Sequence, residues 1–317
     1  VTGVLIVTNE QDLAADLVVL ALERREIAVL RCNTERLTRW RLSIDPGNAW
    51  ELEDHLGRTA SSETTSAVWW RRPAPPDCSV AHASASQAEA FAAQWQAALE
   101  GLGSVPGPRW VSSPAAIRSA EDKATQLAVA IRLGFRVPRT VWTNDTGSAK
   151  RLADSGRLVA KSVTAAAWED DSGPAFVFAH LLSQSELPHD DALALGPVAF
   201  QHPILPKRDV RVTVVGGRAL AAIAEPKHDE ALDWRLDPNR SWAPYELNPT
   251  AADRCVRLVA DLGLRFGGID LALDDHGQIW FLEINPNGEW GWLTEVADLP
   301  IVEVLVDELT ADDVGRL

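Results

Sequence analysis

Asp270, Glu283 and Asn285 are three oxygen-bearing side chains set in two short apolar runs with a turn between them. Residues 267–273 and 278–285 read as strands, and Asp274-Asp275-His276-Gly277 is a four-residue turn signal. An antiparallel hairpin closed there places Leu273 opposite Gln278 and Asp270 opposite Phe281. Asp270 and Glu283 become diagonal neighbours on the face that also carries Asn285, Phe281 and Ala272. Two carboxylates and an amide on such a surface are costly to bury unless something satisfies them. A hard cation does so: Mg²⁺ favours one or two carboxylates, water and the phosphates of a nucleotide. The plainer alternative is an exposed hairpin whose acids face water. Against it, the opposite face (Ile269, Leu271, Leu282, Ile284) is wholly apolar, and Phe281 and Ala272 half-close the acidic one. Gly267 and Gly268 would let a ligand approach the backbone.

Phosphates need cations, and no GxxxxGK[ST] loop exists to supply them. Lys123, in a helical stretch, and Lys161, at the end of the strand 157–161, are the candidates to act as point charges. In the strand that starts at Asp209, the residues Asp209, Arg211 and Thr213 alternate with three valines, so Asp209 and Arg211 face one way. An acid and an arginine directed into a cleft suit ribose and phosphate; an exposed pair worth little is the alternative. Gln201-His202-Pro203-Ile204 is compatible with an adenine hinge, which uses one backbone carbonyl and an N–H two residues on. Pro203, which has no N–H, falls where no donor is needed. Arg71-Arg72, ending another strand, could grip an anion, although solvated arginines are the commoner outcome.

The elements that must position these residues follow from periodicity. A strand at 4–7, a helix over 12–25 and a strand at 27–31 make a βαβ opening, without the glycine fingerprint of a dinucleotide site. A strand at 66–70 and a helix over 86–100 complete a first α/β unit, residues 1–112, closed by a Pro/Gly-rich segment at 101–108. Ser113-Pro114 opens a helix that runs to Leu133. A strand at 139–143, a helix over 146–153 and the Lys161 strand precede 162–174, which has little periodicity and is expected to be a mobile loop. The Asp209 strand turns at Gly216-Gly217 and returns through 218–225. Asp233-Trp-Arg235 lies in a Pro/Asn-rich loop, Asn248-Pro249 caps a helix to about Leu262, and a last helix lies near 299–309.

Composition narrows the function classes. A net charge of −15 with scattered basic residues argues against nucleic acid or an anionic membrane surface as partner, but not against a nucleotide in a local basic pocket. The 317 residues, 46% hydrophobic, allow two or three compact units. No segment could span a bilayer, and Cys32, Cys78 and Cys255 form no zinc or disulfide pattern, so a cytoplasmic setting with reduced thiols is expected. No HExxH or GxSxG motif offers another chemistry.

Lys123, Lys161, 201–204, Asp209-Val-Arg211 and Asp270…Glu283-Ile-Asn285 together resemble the ATP-grasp superfamily. The run 209–216, Asp233-Trp-Arg235 and Phe281-Leu-Glu-Ile-Asn-Pro-Asn-Gly-Glu-Trp-Gly-Trp292 are similar to the microviridin-type maturases, the graspetide synthetases that cyclise ribosomal peptides. The resemblance implies an α/β (α+β) fold: an N-terminal pre-ATP-grasp domain, 1–112, and an ATP-grasp domain, 113–317, with a lid at about 138–200 and a nucleotide and metal part at about 201–317. It implies ATP and one or two Mg²⁺ as cofactors, a precursor peptide with leader and core as partner, and a homodimer. Lys123 and Lys161 would hold the α- and β-phosphates. Gln201, His202, Pro203 and Ile204 would form the adenine hinge and Asp209 would meet the ribose. Arg211 and Arg235 would be catalytic, steadying the γ-phosphate and an acyl phosphate, and Asp270, Glu283 and Asn285 would bind metal. The lid departs from the family pattern, with Thr164-Ala-Ala-Ala-Trp168 where glycines are common. The alternatives are a RimK-like ligase joining two separate molecules, and a non-catalytic nucleotide- or peptide-binding module.

Overall fold

The computed structural model describes residues 3–79, 84–154, 156–164, 167–170, 173–176, 179–224 and 240–311. The chain opens with β1 (Gly3–Thr8), α1 (Leu13–Arg24) and β2 (Val29–Asn33). Asp12 caps α1, its carboxylate accepting from Ala15 N. A small antiparallel meander follows, β3 (Arg41–Asp45), β4 (Ala49–Glu53) and β5 (Thr59–Ser61), which the sequence reading did not anticipate. Next come β6 (Thr65–Trp70), α2 (Ala85–Gly101) and β7 (Arg109–Val111). Strands β2-β1-β6-β7 form a parallel sheet, as a βαβ opening requires.

The expected single helix from Ser113 to Leu133 is two: α3 (Pro114–Ala120) and α4 (Lys123–Arg132). Asp122 is the reason. Its carboxylate accepts from Ala124 N and Thr125 N at 2.8 and 3.2 Å, starting a new helix with Lys123 in its first position. Then follow β8 (Thr140–Thr143), α5 (Thr146–Ala153) and β9 (Leu158–Ser162). The expected loop at 162–174 instead contains β10 (Ala167–Asp170), paired antiparallel with β11 (Gly173–Phe176). Three alanines, a glycine and a proline hide that hairpin, because neither strand alternates apolar with polar residues. After β12 (His180–Leu182), α6 (Asp190–Leu193) and β13 (Val198–Gln201), a sheet of order β12-β9-β13-β8 closes over its own core of Leu152, Leu158, Leu193 and Phe200.

The remaining elements are β14 (Lys207–Val215), β15 (Arg218–Ala224), β16 (Trp242–Tyr245), α7 (Pro249–Asp261), β17 (Phe266–Asp274), β18 (Ile279–Asn285), α8 (Gly291–Val296) and α9 (Ile301–Thr310). Strands β16-β15-β14-β17-β18 form an antiparallel sheet. Val210, Val212 and Val214 pack with Ile269, Leu271 and Ile284 and with Cys255 and Leu258 of α7. That core continues through α4 to Leu5, Val68 and Trp70 of the parallel sheet, while α1, α8 and α9 fill a second core around Ile6, Trp69 and Phe266. Both sheets are thereby locked together; Val215 and Phe266 of the second core share the face of the antiparallel sheet that carries Arg211 and Asp270 further along.

Candidate active site

The register of the β17–β18 hairpin differs from expectation. The Asp274 carboxylate accepts from His276 N, Gln278 N and Trp280 Nε1 at 3.0, 2.8 and 2.9 Å, and Asp274 N donates to Gln278 O at 3.1 Å, so β17 runs one residue further and the turn is 275–277. Leu273 therefore faces Ile279. A bulge then leaves Leu282 unpaired, so Asp270 lies directly opposite Glu283, not diagonal to it, and Gly268 lies opposite Asn285. Phe281 turns to the core, where its ring meets Phe135 at 5.7 Å, and is not on the acidic face. Leu282 takes its place beside the site. The bulge thus brings the two carboxylates closer than a regular ladder would.

Each carboxylate is answered by a cation. Arg211 Nη1 donates to Asp270 Oδ1 at 2.8 Å, and Lys123 Nζ donates to Glu283 Oε2 at 2.7 Å. Lys123 reaches across because Gln126, one turn further along α4, is bolted to β18. Its amide donates to Ile284 O at 2.8 Å and accepts from Ile284 N at 3.2 Å. Gln126 is 1% exposed, a functional support that sequence reasoning missed; a glutamine on the inner face of a helix was the signal. Lys161 Nζ donates to Gln201 Oε1 at 3.3 Å, and Gln201 Nε2 donates to Thr140 Oγ1 at 2.8 Å, so Gln201 holds Lys161 from the neighbouring strand. Burial pushes the Lys161 ammonium below its usual value; Glu283 and Asp270 act against that shift and Lys123 adds to it.

Lys123, Lys161, Gln201 and Glu283 line one narrow cavity together with Trp142 and Leu282. Its volume is about 40 Å³, far below the roughly 300–1,000 Å³ of ligand pockets. A nucleotide entering there has to part the β8–β9–β13 wall from β18. A larger cleft, about 670 Å³, starts at Asn285 and Asn287 and extends to Arg72, Pro73–Pro76 and Arg118.

Arg211 is 5% exposed and sits between two glycines. A Cβ on Gly268 or Gly288 would stand 2.4 or 2.3 Å from its Nη2, so both positions must lack a side chain for the guanidinium to fit. Arg211 Nη2 also donates to Glu289 O at 3.3 Å. Asn285 Oδ1 accepts from Asn287 N at 3.0 Å, starting the turn that carries these groups.

Asp209 does not face an open cleft beside Arg211. It is 4% exposed, its two oxygens committed to Lys207 and Arg240. Neither was foreseen, although Lys207, two residues before Asp209 on β14, shares its face by the period of two; Arg240, 31 residues on, is joined to it only by contact. Arg71 is likewise no surface residue: it is fully buried and bonded to the 287–289 turn. His202 N donates to Arg139 O at 3.0 Å and its ring meets Leu152 O at 3.3 Å, just past the end of β13; Pro203 and Ile204 follow it. Asp233-Trp-Arg235 lies outside the described residues.

Asp270, Glu283 and Asn285 suit a hard cation by donor chemistry: two carboxylates on facing strands and an amide at the strand end. Among the described residues no group of three or more His, Cys, Asp or Glu side chains converges, so this mixed set is the candidate for metal.

No family model matches the chain. The structure of the macrocyclase MdnC bound with precursor peptide MdnA, from Microcystis aeruginosa, superposes with a TM-score of 0.86 at 26% identity, covering 98% of this chain and 100% of that one. The Chryseobacterium gregarium RiPP-associated ATP-grasp ligase, in complex with ADP and a leader and core peptide, gives 0.87 at 27% identity, covering 98% and 96%. Among curated proteins, the probable alpha-L-glutamate ligase of Maridesulfovibrio salexigens is 22% identical over 203 residues, 62% of this chain and 65% of that protein. The match thus spans just under two thirds of that relative's length. By fold, the chain is an ATP-grasp protein. Within that superfamily it stands with the graspetide maturases, as its Asn-Pro-Asn-Gly-Glu-Trp-Gly-Trp ending implied.

Proposed function

We propose that this chain is an ATP-dependent ligase that activates Asp or Glu side-chain carboxylates of a ribosomal precursor peptide and joins them to Ser/Thr hydroxyls (ester) or Lys amines (amide). The observation that carries the reading is the pairing of Asp270 and Glu283 on facing strands, each held by a cation of the kind phosphates attract, in a chain that superposes on two peptide-acting ligases.

Lys123 and Lys161 bind the α- and β-phosphates, with Gln201 keeping Lys161 directed inward. The backbone at 202–204 takes the adenine, and Arg211, joined by Arg235, steadies the γ-phosphate and then the acyl phosphate. Asp270, Glu283 and Asn285 would hold Mg²⁺, which when bound supplies charge neutralisation along the phosphates. A peptide carboxylate oxygen attacks the γ-phosphorus; the bond to the bridging oxygen breaks and ADP forms. A hydroxyl or amine of the same peptide then attacks the acyl carbon, loses its proton, and phosphate departs. No protein nucleophile is needed, so catalysis is positioning and electrostatics. The peptide lies in the larger cleft, which adjoins Asn285. The active assembly is a homodimer, and the division near residue 112 separates the pre-ATP-grasp unit from the ATP-grasp unit.

The test is mass spectrometry of a candidate precursor peptide, with Ser/Thr and Asp/Glu in its core, after incubation with ATP and Mg²⁺. Loss of one water per link is expected. A product heavier than the acceptor would indicate a ligase joining two molecules, the reading that the glutamate ligase relative favours. ATP turnover with no change in peptide mass contradicts both.

A further inference from the structure

Arg71 ends β6, in the parallel sheet, yet every bond it makes on one side is to the turn after β18. Its Nη1 donates to Asn287 O at 2.8 Å and to Gly288 O at 3.0 Å, and its Nη2 donates to Glu289 Oε2 at 2.9 Å. On its other side Asp12, which caps α1, lies 3.5 Å from Nε. The guanidinium stacks over the Trp69 ring at 5.8 Å, and Trp69 in turn packs against Trp290 at 6.5 Å between centroids. The arginine is therefore held by a carboxylate and an indole from the first 112 residues while it grips three consecutive residues of the last strand's exit.

Those three residues set the geometry of two groups in the candidate site. Asn287 N fixes the Asn285 amide, Gly288 gives Arg211 its room, and Glu289 O accepts from Arg211. Such a turn has few contacts of its own, and its backbone carbonyls need a donor once buried. A planar fork with five donors is the one side chain able to hold two carbonyls and a carboxylate together.

We infer that Arg71 is a positioning residue for the metal and γ-phosphate end of the site, acting through the backbone of Asn287 and Gly288 to orient Asn285 and Arg211. It touches neither reacting atoms nor metal; its effect reaches them through the turn. The inference rests on the reading above that Asp270, Glu283 and Asn285 hold the cation.

The test uses Mn²⁺ as a spectroscopic substitute for Mg²⁺, titrated by paramagnetic resonance into the full chain saturated with ADP, with ADP affinity in metal-free buffer measured separately. Arg71→Lys keeps the charge and can reach only part of the turn. It is expected to weaken Mn²⁺ by about tenfold or more, as loss of an outer support does, while metal-free ADP affinity changes less than twofold. Glu289→Ala, at a half-exposed position, removes the carboxylate that Arg71 shares with Arg72 and should weaken Mn²⁺ by about threefold. If Arg71→Lys gives no cooperative unfolding transition, Glu289→Ala decides. Unchanged Mn²⁺ affinity in the variant that folds overturns the inference, as does an equal fall in metal-free ADP affinity, which would mark a general loss of structure. Failure of the wild-type chain to bind Mn²⁺ with ADP would instead overturn the metal assignment itself.

Discussion

Replacing Gly268 by alanine is the sharpest perturbation the site offers. The new Cβ would lie 2.4 Å from Arg211 Nη2 and 2.8 Å from Cζ, so the guanidinium must move. It cannot move freely, being buried and tied to Asp270 at 2.8 Å and Glu289 O at 3.3 Å. Overpacking costs about 1–3 kcal/mol, and a lost charge-assisted hydrogen bond about 1.5–3 kcal/mol. Allowing for partial relaxation, Gly268→Ala should destabilise the chain by about 2–4 kcal/mol, read as a lower urea midpoint at unchanged slope. Gly217→Ala is the control, since a Cβ there meets nothing within 4 Å. The functional arm compares ADP with a non-hydrolysable ATP analogue by calorimetry. If Arg211 grips the γ-phosphate, the extra affinity for the analogue, about 10–100-fold for one charged hydrogen bond, should vanish in Gly268→Ala with ADP affinity kept. A Gly268→Ala chain that matches both the wild type and Gly217→Ala in stability and in that increment would refute the argument.

Two further outcomes follow from the cations on the acids. Lys123→Met removes the ammonium from Glu283, so Mg²⁺ binding without nucleotide should strengthen by about tenfold; calorimetry showing no gain would mean that Lys123 does not compete with the metal. Lys161, held below the usual lysine range by burial, gains a favourable partner when phosphate arrives, so its pKa rises on binding. ADP binding should therefore take up protons and weaken as pH rises through the lowered Lys161 pKa of the free chain, and proton release in buffers of different ionisation enthalpy would contradict the assignment.

Much of the site was legible because chemistry and period coincide there. Asp270, Glu283 and Asn285 stand out as polar residues in apolar strands, and Arg211 alternates with three valines, so their faces follow from a period of two. Asp122 is an N-cap residue type, but the helical pattern runs on across it from Pro114 to Leu133 and masks the break that its bonds to the Ala124 and Thr125 amides make. The turn register that puts Phe281 opposite Leu271, on the core face, and the bulge at Leu282 that then sets Asp270 against Glu283 could not be read, since a one-residue shift leaves no compositional mark. The partners of Arg71 and Gln126 were unreadable for a different reason: both residues act over more than 150 residues of sequence, through backbone atoms that every residue carries.

On the proposed reading, the narrow cavity takes the nucleotide and the larger cleft takes the peptide. One wall, the end of β18, borders both, so a nucleotide lodged against Glu283 and a peptide beside Asn285 would meet at that strand. If the nucleotide binds as proposed, the 40 Å³ of the cavity as it stands requires the β8–β9–β13 wall to move on its entry.

A crystal structure of this chain grown with ADP and Mg²⁺ tests the central claim most directly. Asp270, Glu283 and Asn285 should be found around the cation, with Lys123 and Lys161 turned onto the phosphates and the ion pair between Lys123 and Glu283 broken. Nucleotide bound elsewhere, or those three side chains pointing apart with the pair intact, would contradict the account.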